Sequence, residues 1–177
     1  MKIHLCAAGA ILPVTLLLFA PSALAQDTTE SVSTQSDWDV FVDSDPTECW
    51  VSSQPKETVN TRGGQEVDVR RGEIRMFVTF RPSSGVAGEV SFTGGYPFAP
   101  NSAVNLQVGE QNFDLITDGE WAWSEGPEVD NTIVTALKAG SDAILTGRSS
   151  RGTTTKDTFS LIGFTAATGE AEARCQS

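Results

Sequence analysis

Between Ile74 and Arg81 the chain alternates with period two. Ile74, Met76, Val78 and Phe80 point one way, and Arg75, Phe77, Thr79 and Arg81 the other. Such alternation suits a strand with one buried face and is wrong for a helix. It recurs along the chain. Trp38, Val40 and Val42 alternate with Asp39, Phe41 and Asp43; Val104, Leu106 and Val108 alternate with Asn105 and Gln107. Further strands are expected at Cys49–Val51, at Val67 and Val69, at Val90 and Phe92, at Phe113 and Leu115, and over 120–123. Two more are expected near 143–146 and 158–162. Turn signals at Asp45-Pro46, Pro82 to Gly85, Gly94 to Pro100, Gly109 to Gln111 and Asp118-Gly119 separate them.

One stretch reads differently. Val129, Ile133, Ala136 and Leu137 fall on one helical face, with Pro127 before them and Gly140 placed to end the helix. Many short strands with one short helix predict an all-β antiparallel sandwich. An outer-membrane barrel would need longer strands with an apolar outer band, and these runs are too short for it.

The first residues carry an export signal. Lys2 precedes an apolar run over 5–20, and Ala23-Leu24-Ala25 is a small-x-small cleavage site. The expected organisation is a signal peptide over 1–25, a flexible polar leader over 26–36 and one domain over 37–177. Cleavage after Ala25 removes Cys6 and His4, the only histidine of the chain. The exported remainder then has no Ser-His-Asp triad, Cys-His dyad or His-ligated metal. No catalytic, cofactor or metal residue is expected. The exported protein is expected in the periplasm or outside the cell, with outer-membrane association a further option and no transmembrane segment remaining.

Two cysteines remain, Cys49 and Cys175. In an oxidising compartment their expected state is a disulfide; no CxxC motif supports redox chemistry instead. The net charge of −11 argues against nucleic acid and anionic lipid as partners.

Chemistry-bearing patterns are few. Ser53-Gln54-Pro55-Lys56 matches S-x-x-K, but Pro55 and Val59 disfavour the helix that motif needs. Asp43, Asp45 and Glu48 form one acidic cluster. Asp118, Glu120, Glu125, Glu128 and Asp130 form another; solvated surface is the plainer reading of both, glycoside hydrolysis or calcium the sharper. Trp121 and Trp123 share a strand face, and packing is the favoured reading over an exposed platform. Tyr96 and Phe98 flank Pro97 in a loop, where they anchor the loop or meet a partner. Arg148, Arg151 and Lys156, among Ser and Thr over 147–157, form either a hairpin or an anion-binding loop.

Several of these stretches together resemble the invasion-associated locus B family. They are Trp38 with Cys49, residues 77–81, GGYPFAP over 94–100, GRSSRGTTTKDTFSLIGFTAA over 147–167, and the closing Cys175. The most specific part runs through Thr155, Asp157, Phe159, Ser160, Leu161, Gly163 and Phe164 to Ala167. The resemblance covers about residues 37–175. It implies an exported alphaproteobacterial protein with an immunoglobulin-like β-sandwich, from a family named for a pathogen factor promoting entry into red blood cells. It implies no catalytic residues. Many relatives carry a closing helix; here Thr168-Gly169-Glu170 is expected to interrupt it, because glycine weakens helices.

Three functions follow for testing. The first is a non-enzymatic exported protein binding an envelope or host macromolecule. The second is a glycan- or small-anion-binding module using Trp121, Trp123, Tyr96 or the 147–157 loop. The third is a carboxylate-based hydrolase. The sequence names neither the protein or glycan partner nor the oligomeric state.

Overall fold

The computed structural model describes residues 30–44 and 47–176. The expected signal segment with Cys6, and the expected Asp45-Pro46 turn, lie outside those residues.

The strands are β1 (Ser33–Gln35), β2 (Trp38–Ser44), β3 (Thr47–Ser53), β4 (Glu57–Arg62), β5 (Gln65–Glu66), β6 (Arg75–Arg81) and β7 (Val86–Thr93). There follow β8 (Ala103–Val108), β9 (Gln111–Asp118), β10 (Trp121–Trp123), helix α1 (Pro127–Ala139), β11 (Asp142–Arg148), β12 (Thr154–Ser160) and helix α2 (Phe164–Cys175). All pairings are antiparallel, in the order β1-β2-β3-β6-β7-β10-β9-β8-β11-β12-β4-β5. The order folds back on itself into a β-sandwich. Phe92 on β7 and Phe159 on β12, far apart in that order, meet edge to face with ring centres 6.2 Å apart.

The core is the inward half of each alternation. Val40, Val51, Met76, Val78, Val90, Phe92, Leu106 and Leu145 are all fully buried. α1 buries Ile133, Ala136 and Leu137, the face its periodicity named. Asp130, grouped with the solvated acids by sequence, is buried instead. Its Oδ1 accepts from the Val90 amide at 2.8 Å and from Ser124 Oγ at 2.6 Å, tying α1 to β7. Gly140 ends α1 as expected, in extended backbone at φ −86° with its N–H donating to the Ala136 carbonyl at 2.9 Å. It is required for closeness: a Cβ there would lie 2.5 Å from Val108 Cγ1.

Four expectations need correction. Val67 and Val69 lie outside any strand; β5 ends at Glu66, and Val67 keeps one backbone bond, its N donating to Asn60 O at 2.9 Å. Within the leader expected over 26–36, Ser33–Gln35 form β1, which pairs with β2, while residues 26–29 lie outside the described ones. Ser33 and Gln35 also donate to Glu170 Oε2, each at 2.8 Å. Donation from Gln35, Ser33 and Arg174 holds the Glu170 carboxyl below its usual 4.5. There are two helices rather than one. Gly169 does not interrupt α2, because Phe164, Ala167, Thr168 and Ala171 are buried beneath it and tertiary packing outweighs propensity. Gly169 is exposed with open space around its Cα, so Gly169→Ala is expected to stabilise by about 0.5–1 kcal/mol in denaturant melts.

α2 covers one end of the sheet. Phe164 packs edge to face on the buried Trp38, ring centres 4.8 Å apart. Trp38 Nε1 donates to the Ser160 carbonyl at 3.0 Å, joining β2 to β12. Gly163 precedes the helix at φ 91°, and a Cβ there would sit 1.9 Å from the Gln35 carbonyl oxygen. Glycine is therefore needed twice over at this position. Cys175 at the end of α2 is bonded to Cys49 on β3, with Cα atoms 5.7 Å apart across 126 residues.

Candidate functional site

Two surface features stand out, an aromatic face and a cationic cavity. The aromatic face follows from strand alternation. Ala122 is buried, so Trp121 and Trp123 on either side of it point outward. Packing, the favoured sequence reading, does not hold for Trp121, which is 40% exposed. The two indoles stack at 6.1 Å, and Phe77 on β6 approaches Trp121 at 5.7 Å. Phe77 is the apolar residue on the basic side of β6, out of phase with Met76 and Val78. That phase was the signal that could have placed it with the tryptophans. Ile116, 54% exposed, stands opposite Trp123 in the β9–β10 register. Across β7, Thr93 lies between Arg75 and Trp121. The face thus presents stacked rings, with Arg75 beside them in register and its guanidinium ion-paired with Glu73.

The cavity lies where four loop segments are stitched by backbone hydrogen bonds. Gly72 N donates to Gly95 O at 2.8 Å, Ser150 N to Pro97 O at 2.9 Å, and Phe98 N to Gly119 O at 2.8 Å. Its volume is about 480 Å³, with Arg62, Arg70, Arg71 and Arg151 in its walls beside Asp68 and Glu120. Behind it Arg71 makes a two-pronged contact with the fully buried Asp157, at 2.7 and 2.6 Å. Arg71 Nε also donates to Gly94 O at 2.9 Å. Burial pushes the Asp157 carboxyl above its ordinary 3.8, against the opposing pull of Arg71.

The basic 147–157 segment is a hairpin of β11 and β12, and it does not act as one cluster. Arg148 and Lys156 are exposed on the outer face, since Gly147, Thr155 and Asp157 point inward. Arg151, at the hairpin tip, lines the cavity. Phe98 is core at 6% exposure. Tyr96 is half-buried; its hydroxyl bonds Thr155 Oγ1 at 2.6 Å and its ring stands against Phe98 at 5.0 Å. Burial raises the Tyr96 phenol above its usual 10. Both loop aromatics therefore anchor the loop. Arg62, Arg70 and Asp68 escaped sequence reasoning, and Glu120 was grouped only with its neighbouring acids, because no motif joins segments separated by so much chain.

The S-x-x-K residues are otherwise engaged. Ser53 Oγ donates to the Asp37 carbonyl at 2.7 Å, and Lys56 Nζ pairs with the Asp37 carboxylate at 2.5 Å. No group of three or more His, Cys, Asp or Glu able to hold a metal occurs among the described residues. No described helix is long and apolar enough to cross a membrane.

Comparison with known proteins agrees with this fold. The family model described as invasion associated locus B protein matches residues 38–172. A crystal structure of invasion associated protein B from Bartonella henselae superposes with a TM-score of 0.56, covering 82% of this chain and 98% of that one at 17% identity. No curated protein matches the sequence. A family match that runs from Trp38 on β2 into α2 takes in nearly the whole sandwich, and on it the chain belongs to the invasion associated locus B family.

Proposed function

We propose that this protein is exported, loses its first 25 residues, and works in the periplasm or outside the cell by binding another envelope or host macromolecule, without catalysing a reaction. One observation carries this reading: three aromatic rings, Phe77, Trp121 and Trp123, gathered on an outward sheet face. Clustered aromatics at a surface are the side chains that dominate binding interfaces. The Cys49–Cys175 bond supports an oxidising compartment. The solved relative is called invasion associated, and a host-facing role for this chain rests on that kinship alone.

Trp121→Thr with Trp123→Thr tests the reading. Thr keeps strand propensity, so the pair is expected to cost under about 2 kcal/mol of stability. The folded double variant is expected to lose the proteins and glycans that wild type captures from a native envelope fraction. An identical capture profile for both proteins would refute the role of this face.

A further inference from the structure

We propose that the cavity among residues 62–71, 95–97, 120 and 149–155 binds the carboxylate-bearing sugar unit of an acidic saccharide. The argument is separate from the aromatic face and begins with charge. Among the described residues, Lys56, Arg71, Arg75, Arg81 and Arg174 are held in ion pairs. No carboxylate among the described residues pairs with Arg62, Arg70 or Arg151, and all three line this one cavity of a chain carrying net charge −11. Arg71 is committed to Asp157 and is not available to a ligand.

Three guanidinium groups without a carboxylate partner in one wall, Arg62 among them donating to Thr153 Oγ1 at 2.7 Å, call for an anion, since guanidinium forks match carboxylate and related oxyanions. The same wall carries Asp68 and Glu120. Ionised carboxylates only accept hydrogen bonds. A bare sulfate brings them no donor and adds repulsion. A ligand that satisfies the whole wall therefore carries a negative group for the arginines and hydroxyls for the two acids. Three cations against two anions leave one net positive charge, which matches a single carboxylate per sugar. Ser149, Ser150 and Thr153 add hydroxyl partners of the kind that orient saccharides. The volume of about 480 Å³ lies inside the ~300–1,000 Å³ range of small-ligand sites. The stitched loops hold the walls in place before binding, which lowers the ordering cost.

The test is an amide NMR titration of the folded protein with sodium glucuronate, glucose and sodium sulfate as separate probes. Glucuronate is expected to shift residues 68–71 and 149–153, with glucose and sulfate each binding at least about tenfold more weakly. Arg62→Ala with Arg151→Ala is expected to weaken glucuronate at least about tenfold, the loss of charge-assisted hydrogen bonds. Should that pair unfold, Arg70→Ala, fully on the surface, is expected to weaken it in the same direction. Asp68→Asn with Glu120→Gln is expected to weaken glucuronate and strengthen sulfate. Sulfate binding as tightly as glucuronate in wild type would overturn the proposal and mark a plain anion site. Shifts confined to other residues, or affinity indifferent to the arginine variants, would also overturn it.

Discussion

Reducing the Cys49–Cys175 bond, or replacing it by Cys49→Ala with Cys175→Ala, is expected to lower stability by about 2–5 kcal/mol. The bond closes a loop of 126 residues, so the reduced unfolded chain regains nearly all of its freedom. The native state is affected as well. Cys175 ends α2, and α2 supplies Phe164, Ala167 and Ala171 to the core over β2 and β3. Loosening its last turn weakens the cover over Trp38. The effect is read as the difference in denaturant midpoint between oxidised and reduced protein. Midpoints that coincide would mean that α2 docks fully without the bond.

The second large effect is expected at Arg71 and Asp157. Asp157 is fully buried, and Arg71 supplies two hydrogen bonds to its carboxylate. Removing Arg71 alone strands a buried carboxylate. Asp157→Leu alone strands a buried guanidinium. Each single change is expected to cost about 3–5 kcal/mol in equilibrium unfolding. Replacing both, Arg71→Met with Asp157→Leu, is expected to recover most of that loss, because two apolar groups need no partner. Strict additivity of the two single losses would show that the residues act independently. The pair also bears on the cavity, since Arg71 fixes the Gly94 carbonyl beside the 95–97 wall.

The fold was largely legible because burial follows strand alternation. β8 shows it without interruption, and β6 and β7 show it until Thr79 and Ser91, which are buried out of phase, Thr79 beside a register shift. α1 was legible for the same reason at helical spacing. α2 was hidden because Gly169 and Thr168 weaken its local signal, while its stability comes from Trp38 and Cys49, far away in sequence. β5 falls short of Val67 and Val69 because the chain leaves the sheet to form the cavity wall at 68–71. The densest family motif gains a physical meaning. Asp157 meets Arg71, Phe159 meets Phe92, Gly163 admits the Gln35 carbonyl and Phe164 packs on Trp38. These residues hold the sandwich together.

The candidate sites were less legible. Trp121 and Trp123 were visible as a pair, but which way they point depends on the phase of Ala122 against the core. Arg148, Arg151 and Lys156 looked like one group and are divided by a hairpin into an outer face and a tip. The cavity draws on four separated segments, and only the fold brings Arg62, Arg70 and Arg151 together.

The most direct measurement is site-specific photo-crosslinking in a native envelope fraction. One protein carries the photoreactive residue in place of Trp121. A second carries it in place of Ile162, which is 66% exposed and apart from the aromatic face. Binding through the face yields a discrete adduct from position 121 and none from position 162. Adducts from 162 alone, or equal labelling from both positions, would contradict it.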